Sequence, residues 1–125
     1  MYEVTIRKSF SAAHTLAIGG KCEELHGHNF RVDITAGSET VNAEGIVIDF
    51  RILKAWANEI LEEIDHTFLN NLPAFNDVNP SSEMIARFIY ERLGEKAASA
   101  GVAIRKVTVW ESDNAYATYG GDTRG

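Results

Sequence analysis

The sequence predicts an α+β fold: a four-stranded antiparallel sheet with two helices on one face. Three observations predict it. Apolar and polar residues alternate at Tyr2, Val4 and Ile6, and again from His28 to Ala36. Apolar residues then recur at helical spacing in two successive stretches, Leu53 to Ile64 and Ile85 to Leu93. Alternation returns at Val107 and Val109. A period of two marks a strand with one buried face, and a period near 3.6 marks a helix with one buried stripe. The order strand, strand, helix, helix, strand, strand separates helices from strands, which is the α+β pattern.

Size and composition set the bounds. The 125 residues, 45% of them hydrophobic, suit one domain spanning residues 1–125 with one core. No apolar run approaches the roughly 18 residues of a membrane span, so no membrane partner is expected. The net charge of -6, from 18 acidic and 12 basic residues, argues against nucleic acid. Affinity for nucleic acid rests on neutralising phosphates with Lys and Arg. There is no GxxxxGK or GxGxxG phosphate loop. A single cysteine and the absence of an apolar leader make the cytoplasm the expected compartment.

Taken in order, residues 2–13 read as the first strand, and Gly19-Gly20 marks residues 15–25 as a loop. In the second strand, His28, Phe30, Val32, Ile34 and Ala36 share one face. Gly37 to Gly45 is a polar connection, and Ile46-Val47-Ile48 reads as a brief strand. Asp49 is a suitable N-cap for a helix over about 50–64, because its carboxylate accepts a free N–H of the first turn. After a loop over 67–78, Asn79-Pro80 reads as cap and first residue of a second helix. That helix ends before Gly101. Residues 103–111 form the third strand, Asp113-Asn114 the turn, and Ala115 to Tyr119 the last strand. The opposite sheet face carries Glu3, Thr5, Arg7, Asp33 and Thr35, too polar for a second core. Four strands leave two open edges, so a homo-oligomer that closes them is expected.

The chemistry concentrates in Cys22-Glu-Glu-Leu-His26-Gly-His28-Asn29. On a strand, His26 and His28 point to the same face and both rings reach one metal ion. With His14 they make three imidazoles and leave one position open, a common arrangement for catalytic zinc. Cys22 reads either as a fourth ligand or as a reactive thiol beside a cation. By themselves, His14 reads as a strand-end histidine and Asp65-His66 as a solvated carboxylate with a histidine at a helix C-terminus. Glu111 by itself reads as an exposed strand-end carboxylate.

Taken jointly, six segments resemble the 6-pyruvoyl-tetrahydropterin synthase family. They are Phe10-Ser-Ala-Ala-His14, the Cys22 to Asn29 segment, Ile48-Asp49-Phe50, Asp65-His66, Asn79-Pro80-Ser-Ser-Glu83 and Trp110-Glu111-Ser-Asp113. The three-residue gap between Cys22 and His26 is most similar to the bacterial 6-carboxy-5,6,7,8-tetrahydropterin synthase branch. The resemblance implies a tunnelling fold whose subunits join into a barrel, as a homo-hexamer of two trimers. It implies a lyase that converts 7,8-dihydroneopterin triphosphate to 6-carboxy-5,6,7,8-tetrahydropterin, acetaldehyde and triphosphate, towards queuosine. It also implies Zn2+ held by His14, His26 and His28, Cys22 as catalytic thiol, and Asp65 with His66 as proton relay. Glu111 would anchor the pterin and join the relay. Ser81, Ser82 and Glu83 match a segment contacting the pterin, although Met84 stands where asparagine is frequent and serines replace threonines. Arg7, Lys8, Lys21 and Arg31 are candidates for the triphosphate. Competing expectations are 6-pyruvoyl-tetrahydropterin synthase activity on the same substrate, a metal-free pterin aldolase, and a non-catalytic zinc-stabilised module with Cys22 as fourth ligand. Structural zinc sites usually show paired CxxC spacing, which is absent here.

Overall fold

The computed structural model describes residues 1–22 and 24–121, and of Lys21 and Cys22 only the backbone. Among the described residues the elements run β1 (Tyr2–His14), β2 (Ala17–Ile18), β3 (Lys21–Cys22), β4 (His26–Ser38), α1 (Phe50–Glu62) and β5 (Thr67–Phe68). Single-turn 3-10 helices at Leu69–Asn71 and Pro73–Phe75 follow, then α2 (Ser82–Ala100), β6 (Ala103–Ser112) and β7 (Ala115–Gly120).

The main sheet has the order β5-β1-β4-β6-β7. It is antiparallel except for β5, which sets Thr67 and Phe68 parallel to Ala12 and Ala13. The expected four strands therefore gain a fifth. Two residues are too few for any periodicity to register, and β5 exists because the chain leaving α1 returns along the edge of β1. The stretch read as a loop over 15–25 also contains the small β2–β3 hairpin. Its turn residues Gly19 and Gly20 have φ of 63° and 80°, the paired left-handed conformation that a tight two-residue hairpin requires.

Alternation places the core where expected. Phe30, Val32, Ile34 and Ala36 of β4 are fully buried, as are Val107 and Val109 of β6. Against them α1 packs Leu53, Ala57 and Ile60, and α2 packs Ile85, Ala86, Ile89 and Leu93. Each large apolar side chain buried this way contributes about 1.5–3 kcal/mol relative to exposure. The exposed pairs between the helices, Arg92 with Glu63 and Lys96 with Glu59, are worth roughly 0–1 kcal/mol each, so burial holds the layers together. The opposite sheet face is hydrogen-bonded across strands. The Thr5 and Thr35 hydroxyls lie 2.8 Å apart, and Arg7 donates to Asp33 at 2.6 Å.

Helix boundaries show two further differences. Asp49 caps α1 as expected, accepting the Arg51 N–H at 2.8 Å. The cap of α2 is Ser81, which accepts the Met84 N–H at 3.2 Å, in place of Asn79. Asn79 instead clamps the backbone of Ala17, accepting its N–H at 2.9 Å and donating to its carbonyl at 2.8 Å. Pro80 then lies outside the helix. Gly101 ends α2 with φ 76°, as its position predicts. Ile46 to Ile48 is irregular chain and not a strand. The Asn42 carboxamide oxygen draws the segment into a turn by accepting N–H groups from Glu44 and Ile46. No helix among the described residues is long and apolar enough to cross a membrane.

Candidate functional site

The β1–β4 register brings three histidines together. His14 lies directly opposite His26, and Ala12 opposite His28, so the rings of residues 14, 26 and 28 share the helix-facing side at one end of the sheet. Ring centroids are 4.6 Å apart for His14–His26 and His26–His28, and 5.3 Å for His14–His28. Beneath them Phe30 closes the site from the core, 5.5 Å from His14 and 5.4 Å from His28.

Two backbone carbonyls orient these rings. His14 Nδ1–H donates to the Pro80 carbonyl at 2.7 Å, and His26 Nδ1–H donates to the Glu24 carbonyl at 2.9 Å. Each bond turns Nε2 towards the site, the orientation that metal-bound histidines show. His14 is fully buried, and the Nε2 atoms of His14 and His28 are buried without a hydrogen-bond partner. Burial pushes His28 below the ordinary histidine value, with Glu111 pulling the other way and the two other rings adding to the downward shift. A set of three imidazoles, two of them with a buried Nε2 left without a partner, fits a divalent metal.

Glu111 completes the group. His14, His26, His28 and Glu111 offer ligand atoms that all lie within 4.8 Å of one another. One Glu111 carboxylate oxygen, Oε2, is 3.3 Å from His14 Nε2 and 3.5 Å from His28 Nε2. The β6–β7 pairing explains its aim. Trp110 pairs with Tyr116 and Ser112 with Ala115, leaving Glu111 on a bulge with no partner of its own. A bulge re-aims a side chain where the ladder is interrupted. An open recess of about 630 Å³ is lined by Leu16, Glu24, Leu25, His26, His28 and Glu111.

The other candidates lie around this group. Asp65 and His66 follow α1 in a turn, not in its last turn, so helix-end capping does not describe His66. Asp65 accepts the Ser11 N–H at 2.9 Å, and the His66 N–H donates to the Ser11 carbonyl at 2.5 Å. These bonds hold His66 at φ 59°, a left-handed conformation uncommon outside glycine. The His66 ring is exposed and lies 3.6 Å from Asp65. It opens on a second recess, about 500 Å³, with Ser11, Gly27 and Asn29. The two recesses share only His28 among their linings. The backbone of Cys22 pairs with Ala17, but its side chain lies outside the described residues. Ser81 is committed to capping α2, and Ser82 and Glu83 open that helix, with Glu83 exposed. The contacts of the described residues link this segment to the histidines through Pro80. Arg7, Lys8 and Arg31 line one recess with Ser9, while the Lys21 side chain lies outside the described residues.

Sequence reasoning missed the Pro80 and Glu24 carbonyls and the nearness of Glu111 to the histidines. Backbone acceptors leave no trace in a sequence. For Glu111 a signal existed, since Val107, Val109 and Glu111 alternate onto the face that carries the histidines.

Together, fold and site define a small α+β protein with a metal-competent histidine and carboxylate cluster at the sheet end. Residues 3–122 match the sequence model described as 6-pyruvoyl tetrahydropterin synthase, and the chain belongs to that family. A 6-carboxy-5,6,7,8-tetrahydropterin synthase of Synechocystis is 38% identical, covering 89% of this chain and 87% of that protein. A dihydroneopterin monophosphate aldolase of Pyrococcus furiosus is 34% identical, covering 88% and 90%. Among solved structures, the 6-pyruvoyl tetrahydropterin synthase of Caenorhabditis elegans superposes with a TM-score of 0.79 at 27% identity, covering 98% of both chains.

Proposed function

We propose that the protein is a zinc-dependent 6-carboxy-5,6,7,8-tetrahydropterin synthase. It would convert 7,8-dihydroneopterin triphosphate and water to 6-carboxy-5,6,7,8-tetrahydropterin, acetaldehyde and triphosphate, a step towards queuosine. The observation that carries the reading is the convergence of His14, His26, His28 and Glu111 on one open recess. The three-residue gap between Cys22 and His26 and the Synechocystis relative support the carboxy product.

Zinc held by His14, His26 and His28 would supply positive charge that polarises substrate hydroxyls and stabilises developing negative charge. Glu111, as a two-oxygen acceptor, suits the adjacent N–H donors of the pterin edge. Cys22 is the proposed base that takes a proton from the substrate side chain, its thiolate favoured by the nearby cation. His66, held beside Asp65, is the proposed relay. Because His66 opens on a recess different from that of Glu111, the relay serves best where a second subunit brings its own cluster alongside. Arg7, Lys8 and Arg31, gathered in one recess, are the triphosphate candidates.

Incubation of the zinc-loaded protein with 7,8-dihydroneopterin triphosphate tests the reading. Acetaldehyde and triphosphate are expected in equal amounts. A product that keeps its three-carbon side chain would instead establish the 6-pyruvoyl activity that the Caenorhabditis elegans structure carries in its name.

A further inference from the structure

We propose that Glu111 serves two partners in turn: it is a metal ligand in the resting enzyme, and it releases the metal to take the pterin edge. This rests on the zinc and pterin reading above. The starting point is a spacing. The Nδ1–H of His14 is committed to Pro80, which turns its Nε2 into the site. A carboxylate oxygen of Glu111 lies 3.3 Å from that nitrogen and 3.5 Å from His28 Nε2, and both nitrogens are buried without a hydrogen-bond partner. A metal ion held by all three atoms accounts for that spacing. Two ligand atoms about 2.05 Å from a tetrahedral zinc are about 3.3–3.4 Å apart, close to the spacing seen here.

The same carboxylate is not fixed in place. Glu111 occupies the bulge between Trp110 and Ser112, outside the ladder that holds its neighbours, and its side chain is 35% exposed towards the recess. A pterin edge offers two parallel N–H donors, and a two-point grip uses both carboxylate oxygens. Glu111 therefore gives up the metal as it takes the ring, and the shell opens only when substrate is present. Until then the closed shell keeps water from the position the substrate needs.

The test uses the cobalt-substituted protein, whose visible spectrum reports its ligands, and pterin itself, which has no side-chain hydroxyls to offer the metal. Wild type, Glu111→Gln and His26→Ala are compared. The expected result is that the Glu111→Gln spectrum differs from wild type. Pterin should then shift the wild-type spectrum and leave that of the variant in place. Zinc affinity of Glu111→Gln, measured against a chelating dye, should fall beyond the roughly 10–100-fold that loss of an outer-shell partner costs. Matching spectra for wild type and Glu111→Gln overturn the proposal, and so does a wild-type spectrum that bound pterin leaves unmoved. If Glu111→Gln does not fold, Glu111→Asp takes its place in the same comparison. His26→Ala that holds metal as tightly as wild type, or wild type that does not quench pterin fluorescence, would overturn the underlying metal or pterin reading instead.

Discussion

His14 meets the strictest demands of any residue in the site. It is fully buried, donates to Pro80, stacks edge-on against two other histidines and keeps one nitrogen free. His26 is the better probe of the metal because its side chain is partly exposed, so its loss disturbs packing less. His26→Ala should lower zinc content per subunit sharply, as read by elemental analysis of the purified protein; full occupancy would remove it from the ligand set. Cys22 separates an enzyme from a zinc-stabilised module. Cys22→Ala should retain zinc and melting temperature while turnover falls about 10²–10⁴-fold, the usual worth of a general base. A variant that sheds its zinc would make Cys22 a ligand instead. Meeting of the three histidines was legible in the sequence because strand spacing puts residues 26 and 28 on one face and the β1–β4 register delivers residue 14. What orients them was not legible, since the Pro80 and Glu24 acceptors are backbone atoms common to every residue.

Among the elements, α2 shows how a local signal loses to a tertiary one. Asn79-Pro80 has the chemistry of a helix start, but the Asn79 carboxamide matches both hydrogen-bonding groups of Ala17 and is drawn away. The start passes to Ser81, and Pro80 is left with its carbonyl free for His14. Ser81→Ala should therefore cost about 1 kcal/mol of stability by chemical denaturation, the usual loss for a cap hydroxyl, and Asn79→Ala should leave the cap intact. The start of α1 gives a pH signature. Arg51, through its side chain and its backbone N–H, lowers the Asp49 carboxyl to about 2 from 3.8. A carboxyl whose folded pKa is depressed adds stability above its unfolded value and loses it as pH falls through the folded one. The melting temperature of Asp49→Ala should lie below wild type at pH 7, with the gap narrowing as pH falls from about 4 through 2. A gap as wide at pH 2 as at pH 7 would show the charge to be irrelevant. The long strands and both helices were legible because each carries many periods of its pattern. β5 and the β2–β3 hairpin were not, since two-residue strands carry none.

Taken whole, the molecule has a sheet with two unfinished edges. β7 ends it on one side, and on the other β5 covers β1 only at Ala12 and Ala13. Unpaired strand edges invite further strands, and the polar face between them is already hydrogen-bonded within the subunit. Closure by other copies of the chain is the expected outcome. Sedimentation at micromolar concentration should give an oligomer, and a monomer would rule out edge closure. If sites are shared, inactive Cys22→Ala and inactive His66→Ala proteins should recover partial activity after subunit exchange. Exchange without recovery would confine each site to one chain.

The bond from His14 to Pro80 also bears on the order of events during folding. It joins residues 66 apart in sequence, and Glu111 is contributed by a strand later still. The β1–β4 hairpin can assemble His14, His26 and His28 early, but their orientation waits for α2 and β6 to dock. Contacts of such long range are costly in loop entropy, and this pair is expected to form late in folding. Interactions absent from the transition state act on unfolding and leave the folding rate nearly unchanged. Zinc should therefore slow the unfolding arm of a denaturant chevron and leave the refolding arm in place, so that the metal acts as a latch on a structure already made.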